Sequence, residues 1–252
     1  MKIYAGVWAL LRAAVLLLTL PNSVMAGEIT VAVASNFLTT INKLARSFEN
    51  STGHHLRIVN GSTGALYAQI SKGAPYDVFL SADQQRIDML GASGHLLEGA
   101  QKPYALGILV LYARDPGYLR KDVAGSLQNP ALRHFAMADP STAPYGRAAR
   151  EVLDNLELPE LAETKAVLGA NVGQAFGFVR TGNAELGFVA LSQAVAEGGE
   201  WIDIPEGLYQ PVIQQAGLLT ASRGNEPAHM FYDFLSSETA RGIIKASGYG
   251  VP

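Results

Sequence analysis

Within its first hundred residues the chain writes the same pattern three times: a β-branched apolar run, a small polar loop, then apolar residues at helical period. Ile29-Thr30-Val31-Ala32-Val33 is the first run, of the kind buried in a parallel sheet. Ala34-Ser35-Asn36 breaks it. Phe37, Ile41, Leu44, Ala45 and Phe48 then recur at helical spacing until Gly53. Leu56 to Val59 is the second strand candidate and ends in Asn60-Gly61-Ser62-Thr63-Gly64. A helix with Leu66, Tyr67 and Ile70 on one face follows, stopped by Gly73 and Pro75. Asp77 to Ser81 is the third strand, with Asp83 placed to cap the next helix. Successive strand–loop–helix units predict an α/β fold with a parallel sheet covered by helices.

The rest of the chain continues the theme. Gly107 to Ala113 and His134 to Ala138 read as strands. Asp139 to Gly146 is a Pro-containing loop before a helix that turns Ala149, Val152, Leu153 and Leu156 inward. Asn171-Val172-Gly173 opens another helix, Gly182-Asn183 ends it, and Leu186 to Ala190 and Val212 to Thr220 are further strands. The closing segments carry Met230, Phe231, Phe234, Leu235, Ile243 and Ile244 at helical spacing. Two α/β lobes are the natural packing for this pattern.

Residues 1–26 stand apart. Lys2 and Arg12 precede an apolar run from Ala13 to Leu20, then Pro21-Asn22 and Val24-Met25-Ala26, with small side chains where a signal peptidase reads. That order predicts a secretory signal cleaved after Ala26 and a periplasmic destination; the apolar core is too short to span a bilayer. A single membrane anchor is the alternative. With no cysteine, the leader is not of the lipoprotein type and no disulfide is available. The full chain has 19 basic and 22 acidic residues; losing Lys2 and Arg12 leaves 17 against 22, a net charge of −5. Such a balance argues against nucleic acid and anionic membrane surfaces as partners.

Four junctions share one property. Ser35-Asn36, Ser62-Thr63, Tyr145 and Val172 each sit where a strand or loop hands over to a predicted helix start. The first N–H groups of a helix lack internal partners and carry partial positive charge, so such an end is a ready anion site. None of the four junctions carries Lys or Arg. A dianion held by about six or seven neutral donors, each worth about 1.5–3 kcal/mol against a charged group, offsets its desolvation and reaches micromolar affinity or tighter. An acidic net charge is therefore no objection to an anion receptor. Ordinary N-capping explains each junction taken singly, Asn60-Gly61 is also a common turn, and Tyr145 also fits a core aromatic. Recurrence in both halves of an exported chain favours the binding reading.

The residues themselves resemble a family. AVASNF at 32–37, GSTGALYAQI at 61–70, GAPYDVFLSAD at 73–83, DPSTAPYG at 139–146 and LGFVA at 186–190 are similar to the periplasmic molybdate-binding proteins of ABC transporters, the ModA type. The resemblance runs from Glu28 to Gly248-Tyr249-Gly250. It implies a type II periplasmic-binding-protein fold with the anion in a cleft between two lobes, 27–106 plus 212–252 and 107–211. It further implies a ligand, molybdate or tungstate, held by Ser35, Asn36, Ser62, Thr63, Tyr145 and the backbone N–H of Val172. A membrane permease is the implied partner, with the chain itself a monomer. In one branch of the family a ligand tyrosine stands at the position of Ala190. Here that side chain is a methyl, and Tyr145 is expected to replace it from the opposite loop.

Selectivity follows partly from chemistry. Hydrogen phosphate carries a proton and needs an acceptor, yet no Asp or Glu lies inside the four donor loops. Asp139, the nearest, reads as a turn or cap residue. A site with donors alone favours molybdate, tungstate and sulfate. Sulfate is smaller, and preference for molybdate over it rests on the resemblance. An enzyme reading finds little support: Ser62 lacks the G-x-S-x-G spacing, His54 and His55 point to opposite faces, and no phosphate loop occurs. No cation-ligand spacing is present either, so neither a direct metal site nor a cofactor is expected. A receptor for a sulfate-like oxyanion, an iron chelate or an organic anion is the chief alternative, ahead of a secreted hydrolase.

Overall fold

The computed structural model describes residues 26–252; the leader read at residues 1–26 lies, Ala26 apart, outside the described residues. Among the described residues no helix is long and apolar enough to cross a membrane. The three opening units form as their patterns predict: Glu28–Ala34 (β1) and Leu38–Thr52 (α1), His55–Gly61 (β2) and Thr63–Ser71 (α2), Val78–Ser81 (β3) and Gln84–Ala92 (α3). A single 3-10 turn, Ser35–Phe37, joins β1 to α1. Leu96–Gly107 (β4) and Leu109–Ala113 (β5) come next, followed by Val123–Leu127 (α4), Phe135–Ala138 (β6), Pro144–Asn155 (α5) and Leu161–Thr164 (α6). Ala166–Gly169 (β7), Val172–Arg180 (α7), Leu186–Ala190 (β8), Leu191–Glu197 (α8) and Glu200–Asp203 (β9) complete the middle. Val212–Leu219 (β10), Glu226–Phe234 (α9) and Glu238–Ala246 (α10) close the chain.

These strands make two five-stranded sheets, ordered β2-β1-β3-β10-β4 and β7-β6-β8-β5-β9. In the first, β1 pairs in parallel with β2 and β3, whereas β10 runs antiparallel to β3 and β4. The parallel sheet expected of the three opening units is present in β2, β1 and β3; β10 enters from the second sheet and runs against its neighbours. Each sheet is packed on both faces. Ile29, Val31 and Val33 meet Phe37, Ile41, Leu44, Phe48, Phe231 and Ile244 on one side of the first, while Ala32 and Phe79 meet Leu66, Ile70, Ile87 and Leu90 on the other. The second sheet divides likewise, with Leu109, Leu111, Phe135, Val152 and Phe188 on one side and Val110, Ala136, Ala175, Val179 and Val189 on the other.

Gly107 to Ala113, expected to be one strand, is two. Gly107 ends β4 in the first sheet and Leu109 begins β5 in the second, so the chain changes sheets at Ile108. An unbroken apolar run hides the break because both sheets are buried there. The segment 204–211 crosses back. The three unexpected strands, β4, β7 and β9, are all at sheet edges. Gly99 and Pro103 interrupt β4, and β7 and β9 have only four residues each, so their patterns carry little strand signal.

Candidate functional site

Helix starts bring the site together. The N-termini of α2 at Thr63, α5 at Pro144-Tyr145 and α7 at Val172, with the 3-10 turn at Ser35, surround one small cavity, of about 10 Å³. Ser35, Asn36, Ser62, Thr63, Tyr145 and Val172 all line it, and each is at least nine-tenths buried. Ala34, Ala82, Ala143, Pro144 and Asn171 make the rest of the wall. No charged side chain is among these residues. Ala190 is not in the wall; it is buried in β8, where its N–H donates to Gln193 Oε1 at 3.0 Å.

Hydrogen bonds decide what the wall presents. Ser62 Oγ caps α2 by accepting from Ala65 N at 3.2 Å, and Thr63 Oγ1 accepts from Ala82 N at 3.2 Å. Ser35 Oγ accepts from Gly173 N at 3.3 Å and Tyr145 Oη from Gln214 Nε2 at 3.4 Å. Each hydroxyl thus receives a proton from the protein and keeps its own for an occupant. The N–H groups of Thr63, Tyr145 and Val172 lie in the first turns of their helices, where no intrahelical carbonyl can accept them. Burial pushes the Tyr145 phenol well above its ordinary pKa of 10.0, and the buried Tyr249 and Tyr104 and the half-buried Tyr209 nearby add to the rise; the Gln214 bond opposes it. Tyr145 therefore stays a neutral donor at physiological pH.

Asn36 differs from expectation in which group faces the cavity. Its side-chain amide nitrogen donates to Gln214 Oε1 at 3.0 Å and Tyr249 Oη at 3.1 Å, which takes up both protons. Only its main chain remains for a ligand. Asp139, in turn, is held in its own loop: Oδ1 accepts from Ser141 N and Ser141 Oγ, and the residue is not in the cavity wall.

The cleft is bridged around this cavity. Gly64 N donates to Thr142 O at 2.9 Å, an approach so close that a Cβ on Gly64 would lie 2.9 Å from that same oxygen. Arg147, on α5, reaches Asp83 Oδ2 at 2.7 Å, while Arg86 grips the same oxygen at 2.6 Å. Asp83 also caps α3, accepting from Arg86 N as its position predicts. That it also joins the two halves through Arg147, 64 residues away, was not visible in the pattern of residues. Neither was the buried group of Tyr104, Gln214, Tyr249 and Ser192 behind the cavity.

Comparison with known proteins agrees in kind. The family model described as bacterial extracellular solute-binding protein matches residues 29–250. The molybdate-binding protein ModA of Azotobacter vinelandii is 44% identical over 90% of this chain and 91% of its own length. The ModA of Rhodobacter capsulatus is 42% identical over 97% of this chain and 95% of its own. Among solved structures, the Azotobacter vinelandii periplasmic molybdate-binding protein superposes with a TM-score of 0.84 at 39% identity, covering 89% of this chain and 99% of that one.

Proposed function

Because the chain belongs to the bacterial extracellular solute-binding proteins, and among them to the molybdate-binding ModA type, we propose that it captures molybdate or tungstate and delivers it to the membrane permease of an ABC transporter. The observation that carries this reading is the convergence of three helix N-termini and four hydroxyl protons on one buried cavity without a charged side chain. Such a wall solvates a fully deprotonated dianion and presents no carboxylate to the proton of a protonated one. Ser35, Ser62, Thr63 and Tyr145 donate through hydroxyls, Val172 through its N–H, and Asn36 through its main chain.

Residues 27–106 plus 212–252 form one lobe in this reading and 107–211 the other, in keeping with the sheet to which each strand belongs. Ser35, Asn36, Ser62 and Thr63 belong to the first lobe, Tyr145 and Val172 to the second. Only a closed cleft satisfies both sets, so the anion shifts the population toward closure by hinge motion at the two crossings. The mature protein is a periplasmic monomer, released from its leader after Ala26. It turns over no substrate and holds no cofactor; transport energy comes from the transporter's nucleotide-binding subunit. Competitive calorimetry with molybdate, tungstate and sulfate tests the reading. Molybdate and tungstate are expected to bind at micromolar concentration or below and displace sulfate; tighter binding of sulfate overturns it.

A further inference from the structure

Behind the cavity, six buried side chains form a hydrogen-bonded chain whose direction is set by a main-chain carbonyl. Asn36 O can only accept, and it takes the proton of Tyr249 Oη at 2.7 Å. Ser192 Oγ, 2.8 Å from that phenol and 3.2 Å from the same carbonyl, reinforces the arrangement. With its proton committed, Tyr249 faces the Asn36 side chain as an acceptor, so the amide nitrogen lies on that side. The second proton of that nitrogen goes to Gln214 Oε1, which also accepts from Tyr104 Oη at 2.9 Å. Two donors on its oxygen leave Gln214 one way to lie, with Nε2 toward Tyr145 Oη at 3.4 Å. An N–H on that lone pair cannot accept the Tyr145 proton.

Gly107 gives this arrangement room. A Cβ there would collide with Tyr145 Oη and lie 2.8 Å from Gln214 Nε2. The phenol and the amide thus occupy a notch that only glycine leaves open. Gln214 itself is fully buried and sits on β10, just past the segment that crosses back from the second sheet.

From this geometry we infer that Gln214 is a positioning residue that sets the anion specificity of the site, by presenting an N–H to Tyr145 and so turning the Tyr145 proton into the cavity. The inference rests on the cavity being the oxyanion site. Reversing the polarity of residue 214 would make Tyr145 present a lone pair instead, costing a donor to molybdate and supplying an acceptor for the proton of hydrogen phosphate.

The test is a double-mutant cycle read by calorimetry in mildly alkaline buffer, with molybdate and inorganic phosphate as probes. Wild-type protein comes first: no molybdate binding there sinks the reading of the cavity and this inference with it. Given wild-type binding, Gln214→Glu, whose carboxylate accepts from Tyr145, is expected to weaken molybdate by roughly 10- to 100-fold. The ratio of phosphate to molybdate affinity is expected to rise. In a Tyr145→Phe background the same change at 214 is expected to cost clearly less, because only the repulsion between the new carboxylate and the anion remains. Equal losses in both backgrounds, or an unchanged anion ratio, overturn the inference and leave Gln214 a structural residue. Should Gln214→Glu fail to fold by circular dichroism, Gln214→Met runs through the same cycle. Its expected loss is several-fold with Tyr145 present and absent without it, and equal losses again overturn the inference.

Discussion

Thr63 shows how one residue serves fold and ligand together. Its Oγ1 accepts from Ala82 N, tying α2 to the end of β3, while the residue lines the cavity at the first turn of α2, where its N–H has no intrahelical acceptor. Thr63→Ala is expected to cost about 1.5–3 kcal/mol of molybdate binding, the worth of one hydrogen bond to a charged group. Thr63→Ser should recover most of it, both read by calorimetry. An affinity unchanged in Thr63→Ala would make the hydroxyl a structural tie only. Residues of this sort were legible in the sequence because a hydroxyl just before a helical period is a local signal. Gln214 was not legible: a polar residue inside a strand looks alike whatever it meets, and its partners Tyr104 and Asn36 lie 110 and 178 positions away. The Asn36 amide failed for the same reason, since its two acceptors come from the far end of the chain.

Among elements, the N-termini of α2, α5 and α7 meet at the cavity, and α5 adds an ion pair to the opposite half. Arg147, two residues beyond Tyr145 on the same helix, reaches the carboxylate of Asp83, so the helix that lines the cavity also ties the two halves together beside it. Arg147→Met is expected to speed molybdate release about fivefold, matching roughly 1 kcal/mol for a partly exposed ion pair, with association little changed. Stopped-flow displacement measures this. The difference from wild type should shrink at high salt, and a release rate equal to wild type at low salt would remove this ion pair from the mechanism. The helices that carry the site were readable from period and punctuation, whereas the edge strands β4, β7 and β9 were not. An edge strand is defined by the neighbour it pairs with, and half of its pattern faces water.

For the whole molecule, donors divided between two sheets imply a change of shape. Addition of molybdate to ligand-free protein is expected to lower the radius of gyration in solution scattering, and identical curves would count against hinge closure. The buried phenols give a second expectation. Burial raises the pKa of Tyr104, Tyr145 and Tyr249 above the ordinary 10.0, so the folded state holds protons that the unfolded chain releases. Their contribution is whole below the unfolded value near 10 and is lost as pH climbs from there toward the folded values. Thermal melts should therefore show little phenol-linked change between neutral pH and about 9, then a steep fall, and removing one phenol by Tyr104→Phe should soften that fall.

The two crossings have a consequence for the order in which the two halves acquire their shape. Every strand of the second sheet lies in one continuous stretch from Leu109 to Asp203, but the first sheet needs Val212–Leu219 between β3 and β4. Emerging N-terminus first, the protein can finish its second sheet while its first still lacks the strand that joins β3 to β4. The earliest residues must wait for nearly the last, so the first sheet closes only after every strand of the second is available.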